Sequence, residues 1–567
     1  MRSQWHGLWA FPDRRERPVR RSNKVAPYWR MALGKFTLVA LPLLISAMAV
    51  GQDAAPASKR SPSPAAEVKA MVTIDAKAPS MPYSPMLFGG FIEHFHRQIY
   101  GGIFEPGSPL SDEPGFRKDV IAAMKELKLS VVRWPGGCFA SGYHWKDGVG
   151  KTRKPVADPV WGVTDLNTFG TDEFVKWCRL VGCEPYICTN AGNGTPEEMK
   201  QWVEYCNAAT GEYAELRKAN GNEKPLNVKY WSIGNENYGP WEIGRKTPDN
   251  WGPMVHQCAK LMRSVDPDIK LAAAAWLDKR EWNLPLLKAA GADLDYMAVH
   301  QYWITDRKNR PSPDYKGCIG LSAGPERTVT DVIDILKEAG YGGKIKIAFD
   351  EWNLRHWHHP GFPRKGPVSP DDKEAAEFIA NRDINAIAKQ YTMADALFSA
   401  SFFNACLRHC EDVGMANIAP IVNTRGPLYV HPKGIVKRTT FHVLWMYANL
   451  LESRVAKFDV QASPLSNDKN PVAVVDAIAT TVESGKRWSI ALVNRHQDQP
   501  AACTVQVGDR LLDGTFDATV LAGDSPEAFN DVEHPERVMP EKQKVQFSRG
   551  VINLPPHSLT VVRGVEQ

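Results

Sequence analysis

Two glutamates close apolar runs that have no packing use for a carboxylate. The first ends Tyr230-Trp231-Ser232-Ile233-Gly234-Asn235-Glu236, where aromatic and β-branched residues give way to glycine and asparagine. The second ends Ile345-Lys346-Ile347-Ala348-Phe349-Asp350-Glu351. A charge placed just past a buried strand is costly unless it is used. Two strands that each bring a glutamate to one rim would form a paired-carboxylate site, the requirement for cleaving a glycosidic bond. With the carboxyls about 5–5.5 Å apart, one attacks the anomeric carbon while the other protonates the leaving oxygen, and configuration is retained. Their surroundings must keep one ionised and the other protonated. Strand context carries this signal. Gly221-Asn222-Glu223 repeats the Gly-Asn-Glu triplet without a strand before it and reads as an exposed loop.

The elements that would position the pair follow from periodicity. Strand patterns fall near 86–94, 130–136, 184–190, 228–235, 269–276, 294–301, 344–350 and 415–422. Helical patterns lie between them, near 115–127, 171–181, 196–208, 250–265, 283–290, 328–339, 373–409 (as two helices) and 434–450. Eight alternations make a (β/α)8 TIM barrel. A doubly wound sheet is the competing α/β architecture, but no Gly-x-Gly-x-x-Gly follows any strand. Past residue 453 short strands separated by Gly, Asp and Pro turns indicate a β-sandwich of jelly-roll type. The organisation expected is an export segment over 1–51, a linker over 52–70, a strand within 71–85 that joins the sandwich, the barrel over 86–452 and the sandwich over 453–567.

In such a barrel, reactive groups gather at the C-terminal strand ends. Here six of those ends are polar, among them Glu93-His94-Phe95-His96, Arg133-Trp134-Pro135-Gly136-Gly137-Cys138 and His300-Gln301-Tyr302-Trp303. Glu236 follows strand four and Glu351 strand seven, across the mouth from each other. Arg133, near the floor, would hold the nucleophile ionised. Asn235 would hydrogen-bond a sugar 2-hydroxyl. Other positions stay open between function and packing. Glu93 reads as a site group or a structural ion-pair partner. His94 and His300 read as site or core histidines, and Trp161, Tyr302 and Trp303 as site or rim aromatics. Cys138 lacks a partner base and reads as small filler. His356, His358 and His359 cluster without ligand spacing, so no metal is expected.

The totals agree with an ordinary enzyme. Hydrophobic residues are 43% and charged residues 23% of 567 positions, enough for two domains. Net charge is +5, but Arg14, Arg15, Arg17, Arg20, Arg21 and other early residues supply much of it. No basic face remains to bind nucleic acid. Phe36 to Val50 is an apolar run preceded by positive charge and followed by small residues, the order of an export signal, with Met31 as an alternative start. It is short for a membrane span, so the mature chain is expected to be free of the membrane, periplasmic or extracellular. The ten cysteines contain no Cys-x-x-Cys and read mostly as buried thiols.

Taken together, these stretches resemble glycoside hydrolase family 51, and within it the α-L-arabinofuranosidases. The resemblance rests on Gly89-Gly-Phe-Ile-Glu93-His, Arg133-Trp-Pro-Gly-Gly-Cys-Phe-Ala, Tyr143-His-Trp-Lys-Asp-Gly-Val-Gly, Trp202-Val-Glu-Tyr-Cys-Asn, Trp231-Ser-Ile-Gly-Asn-Glu236-Asn and Asp350-Glu351-Trp-Asn, in order from about residue 71 to the C-terminus. It implies a barrel with a β-sandwich, and retaining exo-cleavage of terminal α-L-arabinofuranosyl groups from arabinan or arabinoxylan fragments. It implies no cofactor, a carbohydrate partner and a homo-oligomer, hexamers being frequent in the family. Position by position, Glu236 would be the acid/base and Glu351 the nucleophile. Glu93, Cys138, Asn235 and Tyr302 would contact arabinose, Arg133 and His300 would flank the nucleophile, and Trp161 would come from a loop over the pocket. One position departs: Pro420 stands where the family usually has a sugar-touching glutamine, and Thr424-Arg-Gly-Pro-Leu-Tyr beyond it is less typical. That departure keeps two alternatives open, a related retaining glycosidase with altered sugar choice (a xyloside or glucan) and a carbohydrate-binding protein without catalysis.

Overall fold

The computed structural model describes residues 68–162, 164–304, 313–356, 386–465 and 471–566. The expected export segment, His358, His359 and the first part of the helical stretch expected over 373–409 lie outside the described residues.

Eight parallel strands close into a barrel: Gly89–Phe91, Val131–Trp134, Glu184–Thr189, Tyr230–Ile233, Lys270–Ala274, Tyr296–Ile304, Lys346–Arg355 and Val413–Ile418. Each overlaps a stretch read from the sequence, and the eighth pairs back onto the first. Helices follow the strands and cover the outside. Two of them, Glu212–Ala219 and Tyr315–Gly320, are too short to carry a clear period. The helix expected from residue 434 begins at Thr439, because Gly434–Lys437 pairs with Leu428–His431 as a two-stranded ribbon.

Residues two apart on a strand share a face, and this sets the layers inside the barrel. Val131, Tyr186, Ala272, Ala298, Ala348 and Met415 make a small apolar floor. Two positions further along their strands stand Arg133, Cys188, His300, Asp350 and Asn417, all buried. The apolar floor closes the barrel below and leaves an ionic layer beneath the mouth.

The C-terminal region is two packed sheets. In the smaller, Lys69–Asp75 lies between Lys457–Ala462 and Ala501–Val507. Lys69 and Ala70, assigned by composition to the linker, already pair in this sheet, so the strand begins ahead of the expected boundary at 71. The larger has seven strands and two buried faces: Ala477, Ala479, Ile490 and Leu492 face the other sheet, whereas Ile478, Ala491 and Val493 join the barrel's core. Helix Met393–Arg408 is buried on all sides except at its last residue, as expected of a helix enclosed by other elements. Its end is tied to the larger sheet by Arg408 Nη1 to Asp476 Oδ1 at 2.9 Å.

Candidate active site

The two glutamates reach the same space by different local devices. Strand four ends at Ile233, and the backbone then turns through left-handed Gly234 (φ 73) and Glu236 (φ 41). A Cβ at Gly234 would fall 2.0 Å from Asn237 Oδ1, so only glycine fits there. The turn places Glu236 at the mouth. On strand seven, Asp350 and Glu351 are adjacent, and regular alternation would send them to opposite faces. A bulge intervenes: Ala298 pairs with Ala348, but His300 pairs with Glu351. The extra residue lets both carboxylates meet Arg133, Asp350 at Nε (3.1 Å) and Glu351 at Nη1 (2.7 Å).

A carboxylate oxygen of Glu236, one of Glu351 and a ring nitrogen of His300 lie within 4.8 Å of one another. The hydroxyl of Tyr302 donates to Glu351 Oε2 at 2.8 Å, and Trp241 Nε1 donates to Glu236 Oε2 at 2.7 Å. His300 bridges Glu236 and Asp350, with Nδ1 at 2.9 Å from Glu236 Oε1 and Nε2 at 3.2 Å from Asp350 Oδ1. Burial alone would lower the proton affinity of His300, but the charges of Glu351 and Asp350 outweigh it and push the pKa up to about 10. Burial would likewise raise Glu236, yet its hydrogen bond to His300 and that ring's charge hold it below the usual glutamate range. The proton of this pair therefore rests on the imidazole, whose two N–H groups donate to Glu236 and Asp350.

Glu93 is the opposite case. Burial, reinforced by the charge of Glu351, raises it from 4.5 to about 8, so it is neutral at pH 7. Its Oε1 accepts from Phe139 N (2.9 Å) and Trp161 Nε1 (3.0 Å). Trp161 stacks on Phe95 with ring centres 4.4 Å apart, at the edge of a cavity of about 500 Å³ that both line together with Glu93, Cys138, Glu236 and Glu351. The Gly136-Gly137 pair makes room for these carboxyls. A Cβ at Gly136 would lie 2.5 Å from Glu93 Cγ, and one at Gly137 would lie 2.9 Å from Glu351 Oε1. The Cys138 thiol is pushed well above its ordinary value by burial and the surrounding carboxylates, and stays protonated.

Glu93, Arg133, Cys138, Trp161, Glu236, His300, Tyr302 and Glu351 are thus brought together. Asn235 is beside them but differently engaged. Its Oδ1 accepts from Arg133 Nη2 (2.9 Å) and its Nδ2 donates to Glu242 Oε1 (3.0 Å), and it is buried. Both ends of the amide are held by protein. His94 lies in the core, where Trp134 Nε1 donates to its Nε2 at 2.8 Å, and Trp303 packs outward on Phe398 and Phe402. Glu223 is exposed past the end of a helix. Pro420 is buried and does not line the cavity, which corrects its expected place on the rim; Arg425 of the same loop does line it.

Four groups escaped the sequence reading. Asp350 was hidden by the alternation rule, and Trp241 looked like one tryptophan among eighteen. Glu242 follows Glu236 by one turn of loop, and its density of acid beside a strand end was the available signal. It is buried, hydrogen-bonded to Ser141 and Asn235, and raised to about 7 by burial and the charge of Glu236. Arg425 left no signal beyond the unusual loop that holds it.

Comparison with known proteins follows the same lines. Residues 123–315 match the α-L-arabinofuranosidase 1 domain and residues 350–558 the α-L-arabinofuranosidase C-terminal domain. The chain is 34% identical to α-L-arabinofuranosidase C of Emericella nidulans, over 85% of this chain and 94% of the relative. It is 32% identical to the intracellular exo-α-(1→5)-L-arabinofuranosidase of Halalkalibacterium halodurans, over 84% of this chain and 95% of the relative. The arabinose complex of the α-L-arabinofuranosidase from Thermotoga maritima superposes with a TM-score of 0.77 at 31% identity, covering 88% of this chain and all of that one. With both domains matched and the relatives spanned nearly end to end, the chain belongs to glycoside hydrolase family 51, the family of the α-L-arabinofuranosidases.

Proposed function

We propose that the protein hydrolyses terminal, non-reducing α-L-arabinofuranosyl groups with retention of configuration. One observation carries the mechanism: oxygens of Glu236 and Glu351 within 4.8 Å of each other. That spacing suits attack by one carboxylate, and is short for a water held between two, which needs carboxyls about 6.5–9.5 Å apart. The relatives' names supply the sugar.

In the first step Glu351 Oε attacks the anomeric carbon, the glycosidic C–O bond breaks, and the leaving oxygen takes a proton from Glu236. Arg133 and Tyr302 hold the attacking carboxylate in place. The proton reaches Glu236 from His300, one hydrogen bond away. Glu351 loses its charge as it forms the ester, and this removes the leading cause that raises His300. The imidazole therefore yields its proton as the nucleophile reacts. In the second step Glu236 accepts a proton from water, the hydroxyl attacks the same carbon, and Glu351 leaves with its charge restored. Glu93, neutral at pH 7, can donate to a sugar hydroxyl while its other oxygen is held by Phe139 and Trp161.

The test is turnover of 4-nitrophenyl α-L-arabinofuranoside against the β-D-xyloside and β-D-glucoside, with NMR of the first-formed product. Preferred turnover of the arabinofuranoside with retained configuration is expected; an inverted product, or no arabinofuranoside turnover, would defeat the reading. Arabinan and arabinoxylan fragments are the proposed natural substrates. Export with removal of the segment before about Gln52 is also proposed, from the order of charge, apolar run and small residues over 31–51. N-terminal sequencing of secreted material checks it, and cytosolic protein starting at Met1 or Met31 would refute it. A homo-oligomer is proposed on the family likeness, to be read by light scattering.

A further inference from the structure

Thr424-Arg425-Gly426, in the loop after the eighth barrel strand, carries into the cavity a guanidinium that no step above uses. Asn423 and Thr424 have left-handed backbones (φ 57 and 42), and Gly426 N donates to Asn423 O at 2.6 Å. Asn353 Nδ2 ties the loop to strand seven by donating to the backbone oxygens of Ala419 (3.2 Å) and Arg425 (3.3 Å). So anchored, Arg425 is 6% exposed, and its guanidinium carbon lies 4.9 Å from the centre of the Tyr302 ring. Its Nε and Nη1 are buried and meet no acceptor among the described residues. Arg133, in the ionic layer below, has Asp350, Glu351 and Asn235 around it. Donors buried without acceptors are costly, so a buried fork left idle in a cavity points to an acceptor that arrives with the ligand.

The acceptor's place and charge follow from the neighbours. Tyr302, beneath the guanidinium, bonds the nucleophile Glu351, whereas Trp241 flanks the acid Glu236 on the leaving-group side. Arg425 thus borders the glycosyl unit. The carboxylates of Glu236 and Glu351 already line the cavity, so a carboxylate-bearing sugar would meet repulsion there, and a hydroxyl accepts without adding charge. We infer that Arg425 is a specificity-determining residue whose guanidinium donates to a hydroxyl oxygen of the glycosyl unit held beside Tyr302. The inference rests on the arabinofuranosidase reading and deepens it.

The test compares wild type, Arg425→Met and Arg425→Lys on 4-nitrophenyl α-L-arabinofuranoside and on its 2-, 3- and 5-deoxy analogues, with melting temperatures for each protein. A charge-assisted hydrogen bond is worth about tenfold to a hundredfold in kcat/KM. Both variants should lose that much on the parent sugar and far less on one analogue, the one whose missing hydroxyl was the acceptor. Arg425→Ala should recover activity with millimolar guanidinium. Equal losses on the parent and all three analogues, in variants that melt as wild type does, would overturn the inference while leaving the parent reading intact. Should Arg425→Met not fold, Arg425→Lys alone decides by the same pattern. A wild type inactive on the parent sugar would overturn both.

Discussion

Glu351 and Glu236 are neighbours across one cavity, yet the protein holds them by opposite means. Glu351 is anchored from below, by the buried guanidinium of Arg133 and the hydroxyl of Tyr302, on a strand whose bulge turns it toward both. Glu236 stands on a left-handed turn and is held by His300 and by Trp241, a side chain 48% exposed. The first arrangement suits a group that must attack along one line. The second suits a group that must give up and take back a proton, since its partner is itself titratable. The difference teaches that anchoring and proton supply have been placed on separate strands.

Removing each carboxylate tests that division most severely. Glu351→Ala should lose turnover by about 10⁴-fold or more on every substrate, because no covalent intermediate can form. Glu236→Ala should suffer most on poor leaving groups, and with an activated aryl glycoside it should accumulate intermediate after a burst. Azide should rescue Glu236→Ala with a retained product and Glu351→Ala with an inverted one. NMR of the glycosyl azides decides, and the reverse pattern would exchange the two roles.

The anchor below can be broken next. Arg133→Met leaves Asp350 and Glu351 buried with only the His300 imidazolium beside them. One uncompensated charge of this kind costs about 3–5 kcal/mol, so the denaturant midpoint should fall sharply. An unchanged midpoint would mean that the ionic layer does not need its arginine. Tyr302→Phe removes one hydrogen bond to a charged oxygen and should lower kcat/KM by about tenfold to a hundredfold with little change in stability. A loss confined to KM would assign Tyr302 to uniform binding and leave the nucleophile's anchoring to Arg133.

The gentlest probe is pH. The folded Glu93 pKa, raised to about 8, keeps the carboxyl neutral below that value, and ionisation on the alkaline side removes a donor and adds charge beside Glu351. Activity dependent on neutral Glu93 is therefore present below pH 8 and falls as pH rises through it. Glu93→Gln should keep most of the activity at pH 6 and shift the alkaline fall upward, toward the titration of His300 near 10. A profile unmoved by this change would separate Glu93 from the alkaline limb.

Legibility followed burial. The eight barrel strands are apolar and nearly continuous because both faces are covered, and each is visible in the chain. Glu541–Phe547 was missed because most of it is an exposed, polar edge strand. Lys457–Ala462 was missed because its inward residues are only half-buried. In the site, Arg133 and both central glutamates stand out because polar residues at strand ends are conspicuous, whereas Glu93, His300 and Tyr302 stay open between function and packing until the resemblance assigns them. At Pro420 the sequence shows only a missing side chain, whereas the loop beyond it supplies a different one, Arg425, to the cavity.

The sequence by itself determined the alternation of strands and helices and the two glutamates at strand ends, because each is a local pattern of burial. Only the tertiary structure decided the rest. A register shift against strand six turns Asp350 and Glu351 inward together, and no property of strand seven alone dictates it. The proton assigned to His300, the neutral state of Glu93 and the idle donors of Arg425 depend on charges and burial supplied by residues far away in the chain. Electrostatic energy depends on distance in space, and that distance exists only once the barrel has closed.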